Sequence, residues 1–257
     1  MNLEIYQKKF IVTGASRGIG KAIAVSLLRE GASVGLVARG QEQLEQTVEK
    51  MRQQFCEERV EGWPNDCTDE FALQKLRQQV AQKWKQLDGI VSNVGDGRSV
   101  PDPIPDAKQW SDVWCTNFES ALNTARVFLP MLQHSRGNML FISSITGLEA
   151  FGAPVDYSTA KTAVIAFAQN LARKVAPEVR VNVIAPGNVY FPGSNWEEKM
   201  QDDPSKVEDM LQSAVPMKRF GSPEEIGDAA AFLCSPRASF ITGSILRIDG
   251  GQTVSLL

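Results

Sequence analysis

Tyr157 and Lys161 stand four residues apart in Asp156-Tyr-Ser-Thr-Ala-Lys161, within a run of helical periodicity, and Ser144 lies thirteen residues before the tyrosine. Four residues of helix rise roughly 6 Å and bring both side chains to one face. A free phenol titrates at about 10 and exchanges protons poorly near neutrality, but a neighbouring ammonium favours the phenolate and draws that value down. The pair is therefore a candidate proton-transfer unit in which the lysine tunes and the tyrosine transfers. Ser144 adds a hydroxyl able to polarise a carbonyl oxygen. Tyrosine and lysine at this spacing also occur on solvated helices, so the reading needs a second signal.

That signal lies near the start of the chain. Lys9-Phe-Ile-Val-Thr13 reads as a buried strand and runs into Gly14-Ala-Ser16-Arg17-Gly18-Ile19-Gly20, after which Lys21 to Leu28 has helical periodicity. Strand, glycine turn and helix are the layout that cradles a pyrophosphate. Gly14 takes the sharp turn, Gly18 lets a phosphate approach the backbone, Gly20 permits close helix packing, and the helix amino end offers free N–H donors. The spacing is G-x3-G-x-G, and the implied ligand is a dinucleotide.

The rest of the chain alternates as a parallel sheet requires. Strands are expected at 33–38, 59–63, 88–92, 138–143, 179–185 and near 244–248, with helices at 41–55, 69–84, about 106–134 and 156–175. This predicts an α/β fold with one doubly wound parallel sheet between two helical layers. Ligands in such folds bind beyond the carboxyl ends of the strands. Gly14, Arg39, Asp66, Gly95, Ser144 and Pro186 all fall at expected strand ends, so they should converge on one crevice.

Taken together, these residues resemble the short-chain dehydrogenase/reductase superfamily in its single-domain form, over nearly the whole chain (1–257). Thr13 to Gly20 matches the TGxxxGxG turn, and Asp66 with Cys67 the acidic position near the adenine. Ser92-Asn93-Val94-Gly95 stands for NNAG, Asn117 for the active-site asparagine, and Ser144, Tyr157 and Lys161 for the catalytic Ser-Tyr-Lys. Pro186-Gly187 and Ile248-Asp-Gly-Gly251 match later landmarks. The resemblance implies a Rossmann-like three-layer α/β/α fold and hydride transfer between nicotinamide and a ketone or secondary alcohol, with Tyr157 as general acid/base. It further implies that Lys161 holds the nicotinamide ribose and that Asn117 holds a water linking Lys161 to solvent. The thirteen-residue offset favours Ser144 over Ser143 as the catalytic serine. The chain departs from the family at Ser92, at Val94 and at Phe191, where a threonine usually helps hold the nicotinamide carboxamide; Val189 is left to hold the ring through its backbone.

Cofactor choice is read at the end of the second strand. Where an acid would accept the ribose 2′-hydroxyl of NAD the chain has Ala38, followed by Arg39. Arg39, with Arg17, is suited to grip a 2′-phosphate, with no carboxylate nearby to repel it. The expectation is NADP(H), with NAD(H) second; two ordinary surface arginines are the plainer alternative.

A net charge of −3 gives no electrostatic reason for nucleic acid or an anionic membrane as partner, and no segment reads as a membrane span. Cys56, Cys67, Cys115 and Cys234 are scattered without CxxC spacing, so free thiols in a cytoplasmic protein are expected, with no metal site. His134, at an expected helix end, is assigned no chemistry. Residues of about 188–221, with Tyr190, Phe191, Pro192 and Trp196, read as a substrate lid formed by a helix pair. Asp96, Arg98 and Glu149 are expected as polar groups around its entrance, compatible with a hydroxylated or charged small ketone. The apolar runs 121–132 and 163–172 exceed what one sheet face covers, which with the family resemblance suggests a homodimer or homotetramer. A 3-oxoacyl-acyl-carrier-protein reductase is the alternative activity; by resemblance its two basic docking positions are Ser135 and Glu178 here, with Arg136 and Arg173 nearby. A non-catalytic NADP(H)-binding sensor or scaffold is the alternative of another class.

Overall fold

The strands are short, nearly continuous apolar runs, as expected where both faces of a parallel sheet are covered. In the computed structural model, which describes residues 2–255, the elements are β1 (Lys9–Thr13), α1 (Gly18–Arg29), β2 (Ser33–Ala38), α2 (Gln41–Gln54), β3 (Val60–Pro64), α3 (Glu70–Trp84), β4 (Gly89–Ser92), α4 (Ala107–Trp114), α5 (Ser120–Ser135), β5 (Asn138–Ile142), α6 (Val155–Val175), β6 (Arg180–Pro186), α7 (Asn195–Asp202), α8 (Pro204–Ala214), α9 (Pro223–Cys234) and β7 (Ile245–Ile248). The seven strands form one sheet in the order β3-β2-β1-β4-β5-β6-β7, with every pairing parallel. The winding reverses between β1 and β4, which opens a crevice at their carboxyl ends.

Alternation along each strand feeds two cores. Phe10 and Val12 of β1 face a core shared with Leu27 of α1, Leu44 of α2 and Ile226 of α9. Ile11 points the other way, toward Leu73 of α3, Phe128 of α5 and Val164 of α6. The result is the expected doubly wound, three-layer α/β/α arrangement.

Three features differ from the sequence expectation or extend it. The helical region expected at about 106–134 is α4, a π turn at Cys115–Glu119, and α5. Helix α9 was not expected, although its start is well specified. Pro223 occupies the first turn, the Ser222 hydroxyl accepts from Glu225 N at 3.4 Å, and the Glu225 carboxylate accepts from Ser222 N at 2.8 Å. The apolar surplus expected on α5 and α6 is largely absorbed within the protomer, since Val127, Phe128, Leu132, Val164, Ile165 and Ala168 are all buried. The outward residues of these helices include Arg126, Gln133, Gln169 and Arg173.

The segment of about 188–221, expected from the sequence to be a lid, contains the expected helix pair, α7 and α8. The Ser194 hydroxyl caps α7 by accepting from Glu197 N, and the Asp203 carboxylate caps α8 by accepting from Lys206 N, with Pro204 in the first turn.

Candidate active site and cofactor cleft

A cavity of about 730 Å³ runs along the carboxyl ends of the strands. One end is lined by Gly14, Ser16, Arg17, Ile19, Arg39, Asp66 and Cys67, the other by Asn93, Gly95, Ser144, Tyr157 and Lys161, with Gly187, Val189 and Phe191 on the lid side. Of the sequence-predicted residues, Gly18, Gly20, Asn117 and Pro186 do not line the cavity; they shape it from behind.

The glycine turn works as its spacing suggests. Gly14 and Gly18 have φ of +62° and +54°, values that favour glycine. A Cβ on Gly20 would lie 2.3 Å from the Gly14 carbonyl oxygen, so only glycine lets α1 approach the turn this closely. Asn93 braces the turn: its Nδ2 donates to the carbonyls of Thr13 at 3.2 Å and Gly14 at 3.1 Å, and its backbone N–H donates to the Thr13 hydroxyl at 3.0 Å. No side chain caps the amino end of α1 and no acid lies in its first turn. Its N–H groups are thus left for an anion, and the cleft fits a dinucleotide phosphate there.

At the adenine end the charges are arranged differently from the sequence expectation. Arg39 is exposed, and its Nη1 lies 4.0 Å from the Asp66 carboxylate, so an acid does stand near the position expected to hold a 2′-phosphate. The other Asp66 oxygen accepts from the Thr68 backbone N–H and hydroxyl. Arg17 reaches across the cleft instead of joining Arg39, donating to the Gly193 carbonyl at 2.8 Å. Burial pushes the Cys67 thiol up to about 12, so it stays a neutral wall residue. Asn65, which the sequence reading passed over beside Asp66, lines the cavity with a buried Oδ1 that has no hydrogen-bond partner among the described residues.

Helix α6 presents Tyr157 and Lys161 on one face as the spacing requires. The Lys161 Nζ lies 5.8 Å from the centre of the Tyr157 ring and donates to the Ile142 carbonyl at 3.3 Å. Lys161 is only 3% exposed, and burial draws its amine down to about 8. A Cβ on Gly95 would sit 2.7 Å from Nζ, so glycine here makes room for the amine. The Tyr157 phenol is raised above its ordinary value, chiefly by burial, while the Ser144 hydroxyl pulls it part of the way back and the Asp96 carboxylate pushes it up. Lys161, whose Nζ is 5.8 Å from the ring centre, is not among the causes of this shift, in contrast to the lowering expected from the sequence; burial outweighs it.

Both serines border the cavity, but their hydroxyls are engaged differently: Ser143 donates to the Lys161 carbonyl at 2.8 Å, whereas Ser144 accepts from the Thr146 hydroxyl at 3.0 Å and hydrogen-bonds the Tyr157 phenol. Asn117, in the π turn, is 1% exposed and fully engaged. Its Nδ2 donates to the carbonyls of Val113 and Asp96, and its Oδ1 accepts from Asp96 N, each at 3.0 Å. Its side chain thus fixes the loop over Lys161, with both amide N–H groups used.

The entrance residues are paired with one another. Arg98 donates through Nη1 to Asp96 at 3.1 Å, and through Nη2 to Glu198 of α7 at 2.6 Å and to the Gly193 carbonyl at 3.2 Å. Glu149 instead accepts from Val254 N at 3.0 Å and Ser255 N at 2.6 Å. Phe191 packs its ring on the phosphate turn, within 2.5 Å of where a Gly18 Cβ would be. Trp196 lines the cavity and also contacts Phe220, with ring centres 5.2 Å apart. Ser135, Arg136 and Glu178 lie elsewhere, around a recess of about 300 Å³ that also takes in Lys8, Asp88 and Asn138 at the amino ends of the strands. His134 is exposed in the last turn of α5.

The same architecture is found in known proteins. Residues 14–253 match a family model described as enoyl-(acyl carrier protein) reductase. A tropinone reductase homolog of Arabidopsis thaliana is 35% identical over 96% of this chain and 92% of its own length. The 3-oxoacyl-[acyl-carrier-protein] reductase of Escherichia coli K12 is 31% identical over 98% and 99%. The structure of L-sorbose reductase from Gluconobacter frateurii, complexed with NADPH and L-sorbose, superposes with a TM-score of 0.93 at 28% identity and covers 100% of both chains. On the family match, the relatives and the shared fold, the chain belongs to the short-chain dehydrogenase/reductase superfamily and is an oxidoreductase of that superfamily.

Proposed function

We propose that this chain is an NADP(H)-dependent reductase that moves a hydride between nicotinamide and the ketone or secondary alcohol of a small, hydroxylated molecule. The observation that carries the reading is the meeting of Ser144, Tyr157 and Lys161 at one end of a cavity whose other end offers an uncapped helix terminus and Arg39. Bound nicotinamide supplies the hydride. The protein's part is to hold a carbonyl oxygen near the Tyr157 phenol and deliver one proton to it. With its pKa raised, the phenol carries that proton throughout the neutral range. Ser144 shares the developing negative charge, and Lys161 is placed to hold the nicotinamide ribose.

The preference for NADP(H) rests on Ala38 and Arg39. No carboxylate stands at the end of β2 to take a ribose diol, and Arg39 is close enough to Asp66 to be drawn from it by a phosphate. The bound NADPH of the sorbose reductase agrees with this choice. A cytoplasmic homodimer or homotetramer completes the proposal. The exposed Phe240, and Leu246 on the edge strand β7, are apolar groups that self-association would cover.

Reduction of an acyl-carrier-protein thioester is the second reading, supported by the Escherichia coli relative. It ranks lower because an acidic carrier needs cations. Ser135 is neutral, Glu178 is acidic, and both lie at the sheet end opposite the cavity.

The test is NADPH consumption with a panel of ketones and an acyl-carrier substrate. Turnover of small ketones is expected. Tyr157→Phe should lower it by at least about a hundredfold while NADPH still binds, the scale of a lost general acid. NADPH binding without turnover by the natural chain on any member would sink the enzyme reading.

A further inference from the structure

Gln252 is, with Asn65 beside Asp66, one of two cavity residues whose amide oxygen is buried and has no hydrogen-bond partner among the described residues. Its Nε2 also makes no hydrogen bond to another described residue. A native fold rarely leaves such an oxygen dry and unpaired. Nor is its position a matter of a loose chain. On one side, Asp249 accepts from Gly251 N at 3.0 Å, from Thr253 N at 2.8 Å and from the Thr253 hydroxyl at 2.7 Å, while its carbonyl accepts from Gln252 N at 3.3 Å. On the other, Glu149 holds Val254 N and Ser255 N, tying this segment to the loop that follows Ser144. Gly250 and Gly251, with φ of +64° and +85°, form a turn against Met217 and Pro216, just past α8. The backbone on both sides of Gln252 is fastened, and the residue lines the same cavity as Met210 and Trp196.

We propose that Gln252 is a specificity-determining residue, whose amide accepts a hydrogen bond from a hydroxyl of the substrate at a carbon other than the one reduced. The substrate class is a polyhydroxylated ketone. A hydroxyl can donate to Oε1 and accept from Nε2, which a hydrocarbon chain cannot; a carboxylate would leave Oε1 unpaired. Trp196 supplies an apolar wall of the same cavity. The proposal rests on the reductase reading and deepens it.

The experiment compares hydroxylated ketones with bare ones on the NADPH-loaded enzyme: L-sorbose and dihydroxyacetone against 2-hexanone and 2-butanone. The natural chain should favour the hydroxylated pair. Gln252→Leu should raise KM for that pair about tenfold, the scale of one lost hydrogen bond. It should leave kcat, the dissociation constant for NADPH and the KM for 2-hexanone within about twofold, while Gln252→Asn recovers part of the loss. An equal change on both pairs, or none on either, overturns the assignment. Turnover of the bare ketones alone also overturns it and leaves the reductase reading standing. NADPH binding with no ketone turned over removes both.

Discussion

Lys161 carries an energetic conflict that its surroundings make explicit. The amine is buried and has one carbonyl acceptor, and its pKa falls from 10.5 to about 8. The folded state therefore binds a proton less readily than the unfolded chain, and between about pH 8 and 10.5 the unfolded chain holds more protons. Stability attributable to this group thus rises with pH across that window, and at neutral pH burying the charged amine costs on the order of 3 kcal/mol. Lys161→Met should accordingly melt higher than the natural chain at pH 7, by several degrees, with the advantage shrinking toward pH 10, as thermal denaturation at the two pH values will measure. The same variant should lose catalysis. On the proposed reading, the residue serves chemistry at the expense of stability. Its place beside Tyr157 was legible from spacing, because four residues on a helix fix a face, but its candidacy for chemistry needed the glycine turn as a second signal. Its electrostatics were not legible, since desolvation by β5 and the loop at Gly95 is a tertiary effect. Asn117 was singled out only by the family resemblance, and its engagement with Val113 and Asp96 depends on a π turn that no local pattern announced.

At the scale of elements, the loop after β4 and the lid act on each other through Arg98. One guanidinium joins Asp96, whose backbone Asn117 holds, to Glu198 and Gly193 of the lid, while Arg17 reaches the same Gly193 carbonyl from the phosphate turn. The ion pair is partly exposed and so contributes only modestly to stability. Arg98→Glu and Glu198→Arg should each raise substrate KM severalfold, and the double exchange should recover part of the loss. Raising salt from about 0.05 to about 0.5 M should mimic the single variants weakly, because these charges are screened. Steady-state kinetics on the four proteins at both salt levels test this; additive effects with no recovery would rule out a direct pairing. The helix pair of the lid was readable from Ser194, Asp203 and Pro204. Helix α9 was equally readable from Ser222, Pro223 and Glu225, but its small residues Gly227, Ala229, Ala230 and Ala231 make a weak apolar pattern. The Phe191 departure is explained only by packing, since its ring rests on Gly18 in another part of the chain.

Over the whole molecule, the doubly wound parallel sheet was the most predictable property, although its strand order was not read from the sequence. Alternating strands and helices with right-handed crossovers leave few other solutions, and the glycine turn had to fall at the reversal point. What the alternation did not disclose is how the two helical layers are closed. On one face the closing piece is α9, seated so near α1 that a Cβ at Gly227 would come within 2.8 Å of the Ala22 carbonyl, with Ser26 donating to Asp228 at 2.9 Å beside it. Helix α1 begins at the phosphate turn. An occupant bound there restrains that helix, and a neighbour pressed against its backbone shares the restraint. Deuterium uptake measured with and without NADPH should therefore slow at 223–234, although α9 contributes no wall to the cleft, and Gly227→Val should weaken that distant protection together with nucleotide affinity.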